Sequence, residues 1–367
     1  MPIIGFALVL GAQDPRADES DVTRLNNLGV EAHARGGYAK AVLLLRQALA
    51  SAEAGLGSGH PVVATTLSNL GESEIALGSL DEAEAHLTRA LDITRRNFGQ
   101  SDPRTAKRLS ILGYLLTRKG RHAEAERVYL QALTVREAYP GDRSVDLMTT
   151  LNNLSECLFL QQRFGPALAH VRRALLRGES TWGIDHPQLA PLLNTLAGIY
   201  EAQRKWDDAQ SALERARAIH QHSLGARHPV VAAVLNNLGV LALQRRRYTE
   251  AGGRFREALQ IYEDAYGPEH VEVGKSLNNL AESLRSQNRH SEAELHFRRA
   301  LAICDRLLPY DHPQTIHTLA NYARLLRQTG RKREASTMEK RAVEAFASRK
   351  KTDPTEGLTV DYRDVAR

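Results

Sequence analysis

The sequence predicts an all-α protein: a solenoid of eight helix pairs that repeat every 42 residues. The first observation is a leucine that returns at this fixed interval, with no insertion, from Leu25 to Leu319. The second is the composition, since alanine and leucine are abundant while aromatic residues make up only 5% of the chain, which favours helices over strands. A repeat array grows by stacking, so 367 residues need not be divided into ordinary domains.

Three columns of identical residues define the repeat. Each leucine opens a pentapeptide of one design, LNNLG in the first repeat and LANYA in the eighth. Alanine stands sixteen residues after the leucine in every repeat, and again seven residues further on. The leucines are Leu25, Leu67, Leu109, Leu151, Leu193, Leu235, Leu277 and Leu319, and the alanine columns run from Ala41 to Ala335 and from Ala48 to Ala342. We therefore assign residues 20–347 to eight repeats.

Each repeat has the pattern of two amphipathic helices, as the second repeat shows. Leu67 and Leu70 lie at helical spacing in the first helix, and Gly78 supplies a helix stop. Ala83 and Leu87 belong to the apolar stripe of the second helix. The small residue that ends each pentapeptide is expected to let the two helices approach closely.

An X-Pro step separates most repeats. Proline suits the first turn of a helix, and its neighbour favours the extended conformation of an N-cap. The steps are His60-Pro61, Asp102-Pro103, His186-Pro187, His228-Pro229 and His312-Pro313. We interpret these histidines as turn residues rather than as metal ligands or catalytic groups.

The small residue after Leu-x-x-Leu, followed by the two alanine columns, resembles the tetratricopeptide repeat. The 42-residue period, the LNNLG pentapeptide and the G-x-x-H-P linker resemble the kinesin light chain-like subclass of that family. This resemblance implies a right-handed α-α superhelix whose first helices line a concave, peptide-binding groove. It also implies a protein-protein interaction scaffold, although a fold alone does not fix function.

A column of asparagines is the candidate binding site. It lies two residues after the leucine and comprises Asn27, Asn69, Asn153, Asn237, Asn279 and Asn321, with Ile111 and Thr195 in the other two repeats. Asparagine is a mediocre helix former, so its recurrence inside a helix needs a reason. A carboxamide both donates and accepts hydrogen bonds, which suits the backbone of an extended peptide. The alternative is that these asparagines bond one another or solvent.

Charged neighbours of this column have mixed signs. Glu72, Glu156 and Glu282 are negative, whereas Lys275 and Arg324 are positive. The C-terminal half leans basic, through Lys275, Arg285, Arg324 and Arg327, so we expect a protein or peptide partner whose acidic stretch docks there. The alternative is a solvated surface without a ligand.

Other function classes lack their motifs. The sequence has no phosphate-binding loop, no H-E-x-x-H, no C-x-x-C and no G-x-S-x-G, so we expect no catalysis and no cofactor. The net charge is +6, and the basic residues are scattered among 43 acidic ones. The sequence therefore offers no basic stripe that would bind nucleic acid. The open alternatives are an adaptor or sensor subunit that acts through its outer face and a purely structural spacer. The oligomeric state stays open.

Two repeats depart from the pattern. Pro191 falls one turn inside the first helix of the fifth repeat and is expected to kink or delay it. Glu339, in the eighth repeat, replaces a large apolar residue and predicts a polar cap.

The two ends lie outside the repeats. Residues 1–19 include an apolar run at 2–12 that resembles a signal-peptide core or an apolar cap, and it is too short to span a bilayer. No Lys or Arg precedes the run, so we expect a cytoplasmic protein, with export as the alternative. Residues 348–367 predict a loose polar tail, whose acidic and aromatic segment at 359–365 is a candidate for docking in the groove.

Overall fold

The computed structural model describes residues 19–138 and 145–352, and within these ranges the chain is helical without a strand. The α-helices are α1 (Glu19–Ala34), α2 (Tyr38–Leu56), α3 (Pro61–Leu77), α4 (Leu80–Phe98), α5 (Pro103–Arg118), α6 (His122–Glu137), α7 (Val145–Leu160), α8 (Phe164–Trp182), α9 (Ala190–Ala202), α10 (Trp206–Leu224), α11 (Pro229–Gln244), α12 (Tyr248–Tyr266), α13 (Val271–Ser286), α14 (His290–Leu307), α15 (Pro313–Gln328) and α16 (Lys332–Thr352). The N-terminal segment and the proposed docking segment of the tail lie outside the described residues.

The helices belong to two compact units, α1–α6 within residues 1–142 and α7–α16 within residues 143–367. In each unit every helix packs against the next one along the chain. The odd-numbered helices are the first helices of the predicted repeats, and the even-numbered helices are the second ones. The prediction of an all-α solenoid of eight helix pairs is therefore confirmed.

The alanine columns are buried in the core. All eight alanines of the column from Ala41 to Ala335 have no exposed surface, and those from Ala48 to Ala342 are at most 2% exposed. Burial of so many small side chains lets neighbouring helices lie close together, and the larger side chains fill the space between them. In the second repeat Leu67, Leu70 and Leu87 are all buried, as their spacing predicts.

The first helices begin with side-chain caps. Nδ1 of His60 accepts a hydrogen bond from the backbone N–H of Val62 at 3.2 Å, and a carboxylate oxygen of Asp102 accepts one from Arg104 at 2.8 Å. Imidazoles cap in the same way at His186, His228, His270 and His312. The histidines are thus turn residues, as predicted, and each cap stabilises its helix by roughly 1 kcal/mol. His270 caps α13 although no proline follows it.

The turn inside each repeat uses one left-handed residue, again at an interval of 42. Glycine occupies this position at Gly36, Gly78, Gly120 and Gly330, with φ between 71° and 92°. The fourth to seventh repeats use Gln162, Arg204, Arg246 and Asn288 instead, with φ between 57° and 61°. A side chain in this conformation clashes with the backbone, so these four turns are locally strained.

The two departures from the repeat pattern have the predicted local effects. Pro191 delays its helix: a single 3₁₀ turn at Pro187–Leu189 precedes α9, which begins only at Ala190. Glu339 binds Arg327 at 2.5 Å and so gives the last pair a polar contact in place of an apolar one. Helix α16 continues to Thr352, beyond the boundary expected at residue 347.

Candidate functional site

The first helices lie closer to one another than the second helices do. Helix α3 contacts α1 and α5 in the first unit, and in the second unit α7 contacts α9 while α13 contacts α11 and α15. No two second helices in the described ranges approach each other as closely. The first helices therefore lie on the tighter side of each stack. We call their accessible residues the first-helix surface.

The predicted asparagine column lies on this first-helix surface. Asn27 and Asn237 are exposed, and the other four members are half-buried: Asn69, Asn153, Asn279 and Asn321. None of the six is fully buried, whereas the leucine two residues earlier is buried in every case but the first, where Leu25 is half-buried. Ile111 and Thr195, which interrupt the column, are half-buried as well.

Two of the six asparagines already bond a neighbouring repeat. The amide of Asn69 donates to Oδ1 of Asn26 at 3.0 Å, and that of Asn321 donates to Oδ1 of Asn278 at 3.2 Å. The Oδ1 of Asn321 also accepts from Arg324 at 3.3 Å. The alternative interpretation, in which asparagines bond one another, therefore holds at these two positions.

The remaining asparagines have open hydrogen-bonding groups. Asn27, Asn153 and Asn237 have no side-chain hydrogen-bond partner in the described part of the chain. Asn279 accepts a long bond from Asn278 at 3.3 Å, and its own amide group has no acceptor among the described residues. These four carboxamides are the ones that a ligand can reach without breaking a contact between repeats.

A second polar column, one residue earlier, was missed at the sequence level. Its members include Asn26, Asn152, Asn236 and Asn278, and the last three are buried. Asn236 donates to Oγ of Ser276 on the next first helix at 3.0 Å. The signal was present in the LNNLG pentapeptide, because both of its asparagines recur, and the first of them holds adjacent repeats together.

The basic residues of the C-terminal half have acidic neighbours. Arg285 binds Glu282 at 2.5 Å, Arg324 lies 3.9 Å from the same carboxylate, and Lys275 lies 4.0 Å from Glu272. Arg327 is held by Glu339, as described above. The first-helix surface of this half therefore has less unpaired positive charge than its sequence suggests.

Sequence models of the tetratricopeptide repeat match residues 22–62, 62–137, 108–177, 188–264, 231–306 and 296–348. These matches extend over most of the chain. The chain belongs to the tetratricopeptide repeat family. No protein of curated function matches the sequence.

Several solved structures are similar to this one. BtubC (BKLC) from P. vanneervenii is 23% identical, with a TM-score of 0.56 over 63% of this chain and 94% of the other. The apo form of RapI is 14% identical, with a TM-score of 0.59 over 78% and 99% of the two chains. A kinesin light chain-type protein of nearly identical TPR-like repeats from Podosopora anserina is 20% identical, with a TM-score of 0.48 over 56% and 96%. At these identities the likeness shows the fold alone.

Within the described ranges, no three His, Cys, Asp or Glu side chains come together as metal ligands. Cys157 and Cys304 are buried, as expected, and burial raises the pKa of the Cys304 thiol. No helix in the described part of the chain combines the length and the apolar character needed to cross a membrane.

Proposed function

We propose that this tetratricopeptide repeat protein is a non-catalytic scaffold that binds an extended segment of a partner protein along its first-helix surface. The observation that carries the proposal is the set of open carboxamides at Asn153, Asn237 and Asn279, all in the second unit. An extended backbone presents alternating N–H and C=O groups, and a carboxamide can satisfy both kinds. Asparagine is not needed there for helix stability, because it forms helices poorly.

The energetics require several of these contacts to act together. One hydrogen bond contributes about 0.5–1.5 kcal/mol net, since the ligand gives up bonds to water. A single asparagine would therefore give negligible affinity, whereas a column of them gives additive contacts along one strand of peptide. Asn69 and Asn321 contribute differently in this proposal, by fixing the spacing of adjacent first helices.

The competing possibility is binding through the second helices. Leu43, Leu176 and Leu295 are each more than 60% exposed on α2, α8 and α14. These helices are separated by others, so the three leucines are isolated side chains. Isolated exposed leucines are ordinary on protein surfaces, whereas docking surfaces are contiguous apolar patches. The first-helix surface is therefore the better candidate.

The test uses linear peptides selected from a displayed random library on the full-length protein. Their affinities are measured for the wild type and for the variant Asn153→Ala/Asn237→Ala/Asn279→Ala, after circular dichroism shows equal helicity. We expect binding to weaken by roughly ten-fold or more, because the three losses together exceed about 1.4 kcal/mol. The matched control is Gln260→Ala, which removes an exposed carboxamide from α12. Equal affinities for the triple variant and the wild type would reject the first-helix surface and favour the outer face.

A further inference from the structure

Helix α1 has an open side. Within each unit, a first helix packs against the second helix that precedes it along the chain, as α3 packs against α2. No second helix precedes α1 within the described ranges. The side of α1 that would meet such a helix includes Asp21, Arg24, Leu25 and Leu28. We call these four residues the leading face.

The leading face is more exposed than the corresponding faces of the later first helices. Leu28 is 40% exposed, whereas the large apolar residue at the same place is at most 6% exposed in six of the seven later repeats. In the third repeat that residue, Leu112, is half-buried. Leu25 is half-buried too, whereas the seven later leucines of its column are at most 3% exposed. The two leucines of α1 therefore lack a cover that their counterparts have.

The start of the leading face is polar instead. Asp21 stands where every later repeat has an uncharged residue that is at most 2% exposed. Nη2 of Arg24 lies 3.0 Å from Oδ1 of Asp21, and both side chains are more than half exposed. An ion pair of this kind suits solvent, as the end of a repeat array requires. The leading face therefore needs an apolar cover over Leu25 and Leu28 and none over its first turn.

The chain before α1 has the complementary pattern. Residues 13–18 (QDPRAD) adjoin the helix and include three charged residues, whereas residues 2–12 (PIIGFALVLGA) include none. Leu28 lies nine residues beyond the start of α1, which is about 13 Å along the helix axis. The eleven residues of the apolar run span about 16 Å as a helix and about 36 Å when extended. In either conformation the run can reach Leu28 if residues 13–18 turn the chain back along α1.

We propose that residues 2–12 pack on the leading face and cover Leu25 and Leu28, so that the apolar run completes the first repeat. This arrangement buries the apolar run against apolar side chains and leaves the charged residues of 13–18 beside the polar first turn. A second copy of the chain is a poorer candidate. Two partly exposed leucines offer far less than the roughly 800 Å² per partner that a stable dimer buries.

The test compares hydrogen exchange of α1 in the full-length wild type and in the variant Ile4→Ser/Phe6→Ser/Leu8→Ser. We expect the amides of α1 to exchange about ten-fold faster in the variant, because losing the cover makes local opening easier, while α13 is unchanged. Leu28→Ser should have a similar effect, and combining both changes should add little, since both remove the same contact. The control Leu77→Ser removes a leucine that is 49% exposed at the end of α3 and should leave exchange of α1 unchanged.

Three results would overturn the proposal. The first is equal exchange of α1 in the triple variant and the wild type. The second is an intact mass, measured on the protein from its native cells, that lacks residues 2–12, because the run is then an export signal that is removed. The third is a dimer in sedimentation that Leu28→Ser dissociates, because a second copy then covers the face.

Methyl NMR of the wild type decides the question if the triple variant does not fold. Nuclear Overhauser contacts between the methyl groups of Leu28 and side chains of residues 2–12 are the expected result. Their absence, with the Leu28 resonances assigned by their loss in Leu28→Ser, would reject the cover.

Discussion

Gly71 on α3 and Leu87 on α4 pack so closely that a Cβ atom on Gly71 would lie 2.6 Å from Cγ of Leu87. Gly29 and Leu45 repeat this relationship at the same distance in the first repeat. At the corresponding place in the fourth repeat, the hydroxyl of Ser155 donates to the carbonyl oxygen of Ala167 on the second helix. The close approach of the two helices in a pair explains why each pentapeptide ends in a small residue.

Gly71→Val should lower the free energy of unfolding by about 1–3 kcal/mol, because the added methyl groups overpack the contact with Leu87. Denaturant titration followed by circular dichroism measures the change. Gly253→Ala is the matched control: an added Cβ meets nothing within 4 Å there, inside α12. That control should be neutral or stabilising by up to about 1 kcal/mol, since alanine is the better helix former. Equal losses for both variants would contradict steric packing as the cause.

Arg246→Gly should raise the free energy of unfolding by about 0.5–1 kcal/mol. Arg246 has φ of 58° and is exposed, so glycine removes backbone strain without removing a buried contact. The reciprocal change, Gly330→Ala, introduces the same strain at φ of 80° and should destabilise by about 1 kcal/mol. Thermal unfolding of both variants measures whether stability rises for Arg246→Gly and falls for Gly330→Ala. A lower stability for Arg246→Gly would show that its side chain has a stabilising role in the turn.

Asn321→Ala should destabilise the fold by about 0.5–1.5 kcal/mol, because it removes the donor that bonds Oδ1 of the buried Asn278. Asn237→Ala should change stability by less than about 0.5 kcal/mol, since its exposed carboxamide has no partner in the described ranges. Chemical denaturation of both variants separates asparagines that join repeats from those available to a ligand. Equal losses of stability for the two variants would contradict the division into asparagines that join repeats and asparagines that are open to a ligand.

Acidification from about pH 7 to about pH 5 should lower stability, partly through His296 and His317. Burial lowers the pKa of both imidazoles below the ordinary value of 6.5, with the charge of Arg299 as a further cause at His296. The unfolded chain then binds more protons than the folded one in this window, so stability rises with pH and falls with acid. His317→Gln should flatten the stability profile between the two pH values. An unchanged slope would show that His317 is not protonated differently on unfolding.

Much of the fold is determined by local sequence patterns. The period of the leucine and alanine columns fixes the number of helix pairs, because helical spacing decides which face can be buried. The X-Pro steps fix where the first helices begin, and Pro191 fixes the late start of α9. The helix starts and the delay of α9 depend on residues close together in the chain, so no contact between repeats is needed to infer them. The family resemblance also follows from these columns.

The sequence by itself therefore determined the repeat and the column of polar residues on the first helices. Only the tertiary structure decided which asparagine bonds a neighbouring repeat and which cation of the C-terminal half has an acidic partner. Each of these outcomes depends on side chains brought together by stacking, such as Asn278 and Asn321. Hydrogen bonds and ion pairs are decided by distances of a few ångströms, and a repeating pattern specifies the neighbouring helix but not which side-chain atoms meet.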